Sequence, residues 1–357
     1  MRQSQIDQTI RQLKELYRRY GYTQYKMSKF EPYDLYVRNK NFLVSEDILT
    51  FTDADGRLMA LKPDVTLSIV KNAREGKGLQ KVFYCENVYR TSAMTRSFQE
   101  IMQTGLECVG EIDLAATAEV LLLAAGSLEQ ISGDYLLDVG HLGFVAGLLD
   151  SAGVPESGRD RLLEQMARKN TASLSALCRE LGLDPRAAED LCRLTALYGP
   201  PRELLRSLEG MVRNDRMAVA LAELRDVCAL IPGKPLRLDF SIVNDMDYYN
   251  GLIFRGYLPG APSGVLSGGR YDNLLRQMGR GGGAIGFAVY MDLLERAEES
   301  DAAFDADVLL LYGDRTPASA VFREAERHRR AGRSVRVDRQ VPEGLSFRTV
   351  LKVGERI

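Results

Sequence analysis

Between Asp239 and Asp272 the chain gathers its densest set of groups suited to holding a small polar molecule. A double-tyrosine segment, Asp247-Tyr248-Tyr249-Asn250-Gly251, is soon followed by a glycine-arginine turn, Ser267-Gly268-Gly269-Arg270-Tyr271-Asp272. On a strand, Tyr248 and Tyr249 point to opposite faces. One phenol can then line a pocket and offer its hydroxyl while the other packs away. Upstream, Gln103 and Glu107 stand four apart on a predicted strand, so both face one side. The cluster Gly279–Gly283 lacks the Gly-Lys-Ser/Thr ending of a phosphate loop and precedes a β-like segment, so it reads as a tight turn. His141 and His328 are the only histidines, which disfavours histidine-rich zinc sites and most histidine-dependent catalysis. His141, in DVGHLGF, reads as a structural histidine at a strand edge.

The elements that must position these groups follow from periodicity. Ile6, Ile10, Leu13, Leu16, Tyr17 and Tyr20 recur at helical spacing and Gly21 ends that helix. A strand-like stretch, GYTQYKMSKFEPYDLY, comes next. Residues 48–54 and 57–61 read as a hairpin around Asp55-Gly56. Leu61 to Thr66 opens a helix, with Pro63 and Asp64 suited to its first turn. Residues 81–90 and 101–109 read as strands, 113–131 as a helix and 135–144 as a further strand. With few crossover helices, this order predicts a largely antiparallel sheet rather than a Rossmann fold. From residue 146 to about 230 the sequence is helical, an inserted subdomain. The β pattern then returns through GRGGGAIGFAVY. After Glu298-Glu299-Ser300-Asp301 a βαβ-like tail over 305–357 begins, whose arginine-rich helix interleaves Glu324 and Glu326 and reads as a solvated face.

At 357 residues the chain predicts one large domain with an insertion or a small companion. A hydrophobic fraction of 45% and a charged fraction of 27% are those of an ordinary globular protein. The net charge of -2 leaves no global footprint for nucleic acid. No uninterrupted apolar run reaches the roughly 18 residues of a membrane span, and the polar amphipathic N-terminal helix is not a signal peptide. Cys85, Cys108, Cys178, Cys192 and Cys228 are odd in number and scattered, which reads as reduced thiols in a cytoplasmic protein.

The two motifs between Asp239 and Asp272 resemble, in order and spacing, the histidine-recognition motifs of histidyl-tRNA synthetase. The resemblance covers about residues 1–300 and implies an α+β fold: a class II synthetase-like antiparallel sheet flanked by helices, with a helical insertion and a small α/β tail. It implies a histidine-binding set of Asp64, Thr66, Arg90, Gln103, Glu107, Tyr248 and Tyr249. An ammonium suits such a set, because its three donors must all be satisfied in a dry pocket. It also implies homodimerisation through the N-terminal helix and strand, for which the stripe Ile6, Ile10, Leu13 and Tyr17 is the candidate surface. In that segment Ser28 stands at the place of the family's proline and Glu31 matches its acid.

On the ATP side the pattern is broken. Asn244 stands where the family has a catalytic arginine, Ser92 where it has a glutamate, Tyr290 where it has a glycine and Leu293 where it has an arginine. Adenylation relies on cations fixed against the phosphates, and each such lost contact lowers the rate by roughly 10²–10³. A histidine pocket kept beside a degraded ATP site, with a shortened anticodon-binding-like tail, resembles the regulatory subunits of ATP phosphoribosyltransferase. That likeness implies a non-catalytic, cofactor-free protein of histidine biosynthesis. Its partner would be the short catalytic subunit, in a hetero-octamer with histidine as feedback effector; tRNA is not expected as a partner. Two rivals are an active histidyl-tRNA synthetase and a synthetase-like histidine-sensing or tRNA-binding module.

Overall fold

The computed structural model describes residues 3–39, 48–74, 76, 78–91, 97–243, 248–297 and 304–353. They divide into two units, Gln3–Ala297 and residues 304–353.

In the first unit, Ile6, Ile10, Leu13 and Tyr17 form one stripe of helix α1 (Gln3–Arg19), and Gly21 ends it in a left-handed conformation at φ 81°. The stripe is fully used inside the chain. All four residues are buried in the main core, and the Tyr17 hydroxyl meets Ser127 Oγ at 3.0 Å. The expected role of this stripe as a dimer surface is therefore corrected: it faces inward.

The strand expected over the next segment is also broken up. It forms β1 (Thr23–Gln24), β2 (Phe30–Pro32) and a short helix, α2 (Tyr33–Val37). Pro32 has no N–H for a ladder and suits a helix start, so the chain turns there. The hairpin β3 (Thr50–Thr52) and β4 (Leu58–Leu61) forms as expected, with Gly56 at φ 79° in its turn. It joins β2 in a three-stranded antiparallel sheet.

Helix α3 (Thr66–Asn72) begins after Pro63 and Asp64 rather than including them. Asp64 Oδ1 instead accepts the Leu67 N–H at 2.9 Å, satisfying one of the donors that every helix start leaves open. The long strands β5 (Gln80–Thr91) and β6 (Phe98–Gly110) pair antiparallel along their length. Helix α4 (Leu114–Ile131), capped by Asp113, is long and apolar enough to cross a membrane by length and composition alone. Its apolar side chains are spent on the core, where Val120, Leu121, Ala124 and Leu128 are buried.

Strand β7 (Leu136–His141) passes directly into helix α5 (Leu142–Ser151). The strand expected over 135–144 is thus cut by its own histidine, whose Nδ1 accepts the Gly143 N–H at 3.1 Å. Helices α6 (Glu156–Ala167), α7 (Thr171–Glu180) and α8 (Pro185–Ala196) follow. After strand β8 (Tyr198–Gly199) come α9 (Pro201–Glu209) and α10 (Asp215–Leu230). The chain returns to the sheet as β9 (Leu236–Asp239), β10 (Leu252–Tyr257), β11 (Leu266–Arg270), α11 (Asp272–Gln277), β12 (Gly283–Tyr290) and α12 (Met291–Ala297). Gly279 and Gly282, both at positive φ, form the tight turn before β12.

The large sheet runs β1-β5-β6-β12-β11-β10-β7-β9-β8, antiparallel except for β1 with β5 and β7 with β9. This is an α+β architecture. Alternation splits its side chains between two apolar layers. Phe83, Leu106, Cys108, Ile285 and Phe287 pack with α1 and α4, while Val82, Tyr84, Val109 and Ala284 pack with residues of α3 and α11.

In the second unit β13 (Ala306–Leu311) lies between β14 (Val335–Asp338) and β15 (Phe347–Lys352), all parallel. Helix α13 (Ala318–Arg330) buries Val321, Ala325 and His328 and leaves its arginines exposed. All five cysteines of the chain are free thiols.

Candidate functional site

The second layer contains a polar interior. Gln103 and Glu107 lie on the same face of β6, as the strand spacing predicts, and are 3% and 2% exposed. The residue between them on that face is Gly105, where a Cβ would stand 2.2 Å from the Phe287 carbonyl oxygen and 2.7 Å from the Tyr84 hydroxyl. Across the β6–β12 pair, Glu107 faces Gly286. Gly286 makes the room that the carboxylate occupies, and Gly105 the room for the Tyr84 hydroxyl.

Glu107 accepts two hydrogen bonds, from Thr66 Oγ1 at 2.7 Å and from the Tyr271 hydroxyl at 2.5 Å. Among the described residues no cation lies within ion-pair distance of it. Burial pushes its carboxyl up to about 8; the bonds from Tyr271 and Thr66 oppose the rise and nearby Asp64 adds to it. Asp64 is also buried and raised by burial, held back by Arg90 and by the amides at the start of α3. Arg90, on β5, is committed locally. Its Nε donates to the Pro63 carbonyl at 2.8 Å and its Nη2 lies 3.7 Å from Asp64 Oδ2.

Tyr248 and Tyr249 do not straddle a strand, because β10 starts only at Leu252. The preceding residues are held in a turn: the Asn250 N–H donates to the Arg270 carbonyl at 2.9 Å, and Asn250 Oδ1 accepts the Asp272 N–H at 2.8 Å. Freed from strand alternation, both rings reach the pocket layer, Tyr249 packing against the main core as well, with centroids 4.6 Å apart, and Tyr248 lies 5.5 Å from the Tyr271 ring. The opposite-face expectation is corrected accordingly. Burial, then the nearby Asp64, raises the Tyr248 hydroxyl well above its usual value.

The structure thus brings Asp64, Thr66, Arg90, Gln103, Glu107, Tyr248 and Tyr249 to one side of the sheet. Tyr290 ends β12 opposite Gln103 and close enough to Tyr84 to influence it. Leu293 is partly buried against the main core. Ser92 and Asn244 lie outside the described residues. Sequence reasoning missed Tyr271, Tyr84, Gly105 and Gly286. Tyr271 stood in the quoted glycine-arginine turn, but only the pairing of β11 with β12 shows that its phenol turns back to Glu107. The neighbouring Arg270 goes elsewhere, to Asp272 at 2.9 Å and Glu223 at 3.7 Å, where Glu223 also meets His141 Nε2 at 3.1 Å.

Comparison with known proteins agrees with this fold. Residues 1–294 match the family model described as histidyl-tRNA synthetase. An ATP phosphoribosyltransferase regulatory subunit from Clostridium kluyveri is 30% identical over 84% of this chain and 81% of its own length. Its counterpart from Symbiobacterium thermophilum is 33% identical over 73% of this chain and 68% of its own. The chain belongs to the ATP phosphoribosyltransferase regulatory subunit family, which is built on the histidyl-tRNA synthetase fold. Among solved structures, one described as an ATP phosphoribosyltransferase regulatory subunit/histidyl-tRNA synthetase from Bacillus halodurans superposes with a TM-score of 0.74 at 25% identity. That match covers 97% of this chain and 93% of the other. The class II synthetase-like sheet expected from the sequence is thereby found.

Proposed function

We propose that this chain is the regulatory subunit of an ATP phosphoribosyltransferase in the first step of histidine biosynthesis. In this reading it activates a short catalytic subunit, in a hetero-octamer in the cytoplasm, and carries histidine feedback without synthetase chemistry of its own. The observation that carries the histidine reading is Glu107. A carboxyl that is buried, already accepts hydrogen bonds from two hydroxyls and has no cation among the described residues ionises most readily when a cationic ligand group comes to it. The ammonium of histidine, with Glu107, Asp64 and Gln103 around it, supplies that charge. Tyr248 or Tyr249 is then placed to meet the imidazole, and Thr66 holds Glu107 in position.

Two observations support the loss of adenylation. Leu293 packs as an apolar side chain against the core, and Arg90 is tied to Pro63 and Asp64. The small parallel unit at 304–353 fits a reduced anticodon-binding-like domain and the helices between 146 and 230 fit an insertion in the synthetase-like domain. The test is reconstitution with a short catalytic subunit. Its activity should rise on adding this chain and become sensitive to histidine, and Glu107→Ala should weaken calorimetric histidine binding by about ten- to a hundredfold, the value of a hydrogen bond to a charged group. A chain that neither activates the partner nor binds histidine defeats the proposal.

A further inference from the structure

A second cavity, of about 330 Å³, lies near the β7-β9-β8 edge of the large sheet. Its polar lining follows from register. Asp138 on β7 stands opposite Arg255 on β10 and opposite Arg237 on β9, so the three share one face. Tyr257 and Asp239, each two residues further along its strand, join them there. The residues between, Leu137, Val139 and Leu238, turn into the apolar core. From α6 the chain closes over this face through Lys169, a non-glycine residue at φ 52°. Lys169 Nζ reaches Asp239 Oδ2 at 2.8 Å and lies 4.5 Å above the Tyr198 ring.

The two acids of the cavity are not equivalent. Asp239 is saturated, because its other oxygen accepts the Ser241 N–H at 2.8 Å and the Ser241 hydroxyl at 2.7 Å. Asp138 is 4% exposed and lines the cavity; Lys169, the Tyr198 hydroxyl and Arg237 favour its ionised form, yet its Oδ1 has no hydrogen-bond partner among the described residues. A buried carboxylate oxygen without a donor is unfavourable and a positively charged donor remedies it best. A purely cationic ligand is nevertheless ill-suited, since Arg168, Lys169 and Arg255 also line the cavity. A molecule carrying both charges meets both demands, and the volume suits a small ligand.

We propose that this cavity binds a small zwitterion of the α-amino acid class, with its ammonium on Asp138 Oδ1 and its carboxylate toward Lys169 and Arg255. Tyr198 and Tyr257 flank it. Burial, and then Asp239, push the Asp138 carboxyl up to about 6, which leaves it mostly ionised at neutral pH and ready for the ammonium.

The site is separate from the Glu107 pocket and its test is kept separate too. The full chain carrying Glu107→Ala is titrated calorimetrically with each standard L-amino acid. Any that bind are repeated as the amide, which lacks the carboxylate, and as the N-acetyl form, which lacks the ammonium. At least one amino acid should bind, with both derivatives weaker by about tenfold or more. Asp138→Asn in the same background should weaken binding by about ten- to a hundredfold. Lys169→Met should do likewise; it also removes the ion-pair partner of buried Asp239, so far-UV circular dichroism at the titration temperature, unchanged from wild type in both variants, guards against a folding defect. No binding at millimolar concentration, or an affinity unmoved by both substitutions, overturns the proposal. Failure of the histidine reading at Glu107 would leave this titration as it is.

Discussion

A Cβ atom added at Gly286 would stand 1.8 Å from Glu107 Oε2, so the carboxylate occupies space that only glycine leaves open. The carboxylate, the Thr66 hydroxyl and the Tyr271 phenol share that space as a unit. Gly286→Ala should push Glu107 away from both donors. Overpacking of this kind is worth about 1–3 kcal/mol of stability. Urea unfolding should show that loss, and histidine titration a marked fall in affinity. Wild-type values in both would mean that the glycine is incidental.

The same carboxylate should make stability depend on pH. Its folded value lies near 8, above the usual 4.5, because burial outweighs the bonds from Tyr271 and Thr66. Between those values the folded chain holds a proton that the unfolded chain has released. Stability therefore falls as pH rises from about 4.5 toward 8, by an amount on the order of a few kcal/mol, and the penalty is absent below that window. Unfolding midpoints measured across the window should drop for wild type and flatten for Glu107→Gln.

Histidine binding should couple to that proton. An ammonium beside Glu107 favours its ionised form, so binding at neutral pH should release up to one proton. Calorimetry in buffers of different ionisation enthalpy reads this directly. A binding heat that does not change with buffer, in wild type as in Glu107→Gln, would contradict a cation at Glu107.

Much of this frame is legible in the residues themselves. Period-two alternation places Gln103 and Glu107 together, and Asp55-Gly56 marks its hairpin, because both signals are local. The failures are places where non-local contacts decide. Tyr248 and Tyr249 look like strand residues until Arg270 and Asp272, some twenty residues on, hold Asn250 in a turn. The α1 stripe reads equally well as a dimer face or a core face. Only α4, more than a hundred residues away, settles it, through Ser127 and its apolar neighbours. Tyr271 was visible as part of a motif but not as a partner of Glu107, since their meeting depends on strand pairing.

The pure chain should show no histidine-dependent exchange of pyrophosphate into ATP. Leu293, where the resemblance implies an arginine, carries no charge, and Arg90 is already engaged by Pro63 and Asp64. Preorganised cations supply much of the stabilisation of an adenylyl transition state. Leu293→Arg alone should not restore exchange, because the apolar seat of Leu293 would hold a guanidinium poorly. Exchange above background in the unmodified chain would instead identify a working synthetase.

If the chain pairs with itself, the surface must be other than the α1 stripe. The small sheet of β2, β4 and β3 exposes Phe30 at 47% and Leu58 at 48%, and Phe30 stacks edge-on against Phe51 at 5.4 Å. Its strand β2 lies in the stretch after α1 for which the sequence resemblance implies a dimer contact. Exposed apolar side chains on a short sheet lose contact with water when two copies meet, at roughly 25 cal/mol for each Å² of apolar surface covered. Light scattering at micromolar concentration should give a dimer mass for wild type. Phe30→Asp and Leu58→Asp should each shift it toward monomer without altering the melt of the folded chain, since neither side chain is buried. A dimer untouched by both substitutions would move the interface elsewhere, and a monomeric wild type would remove the homodimer altogether.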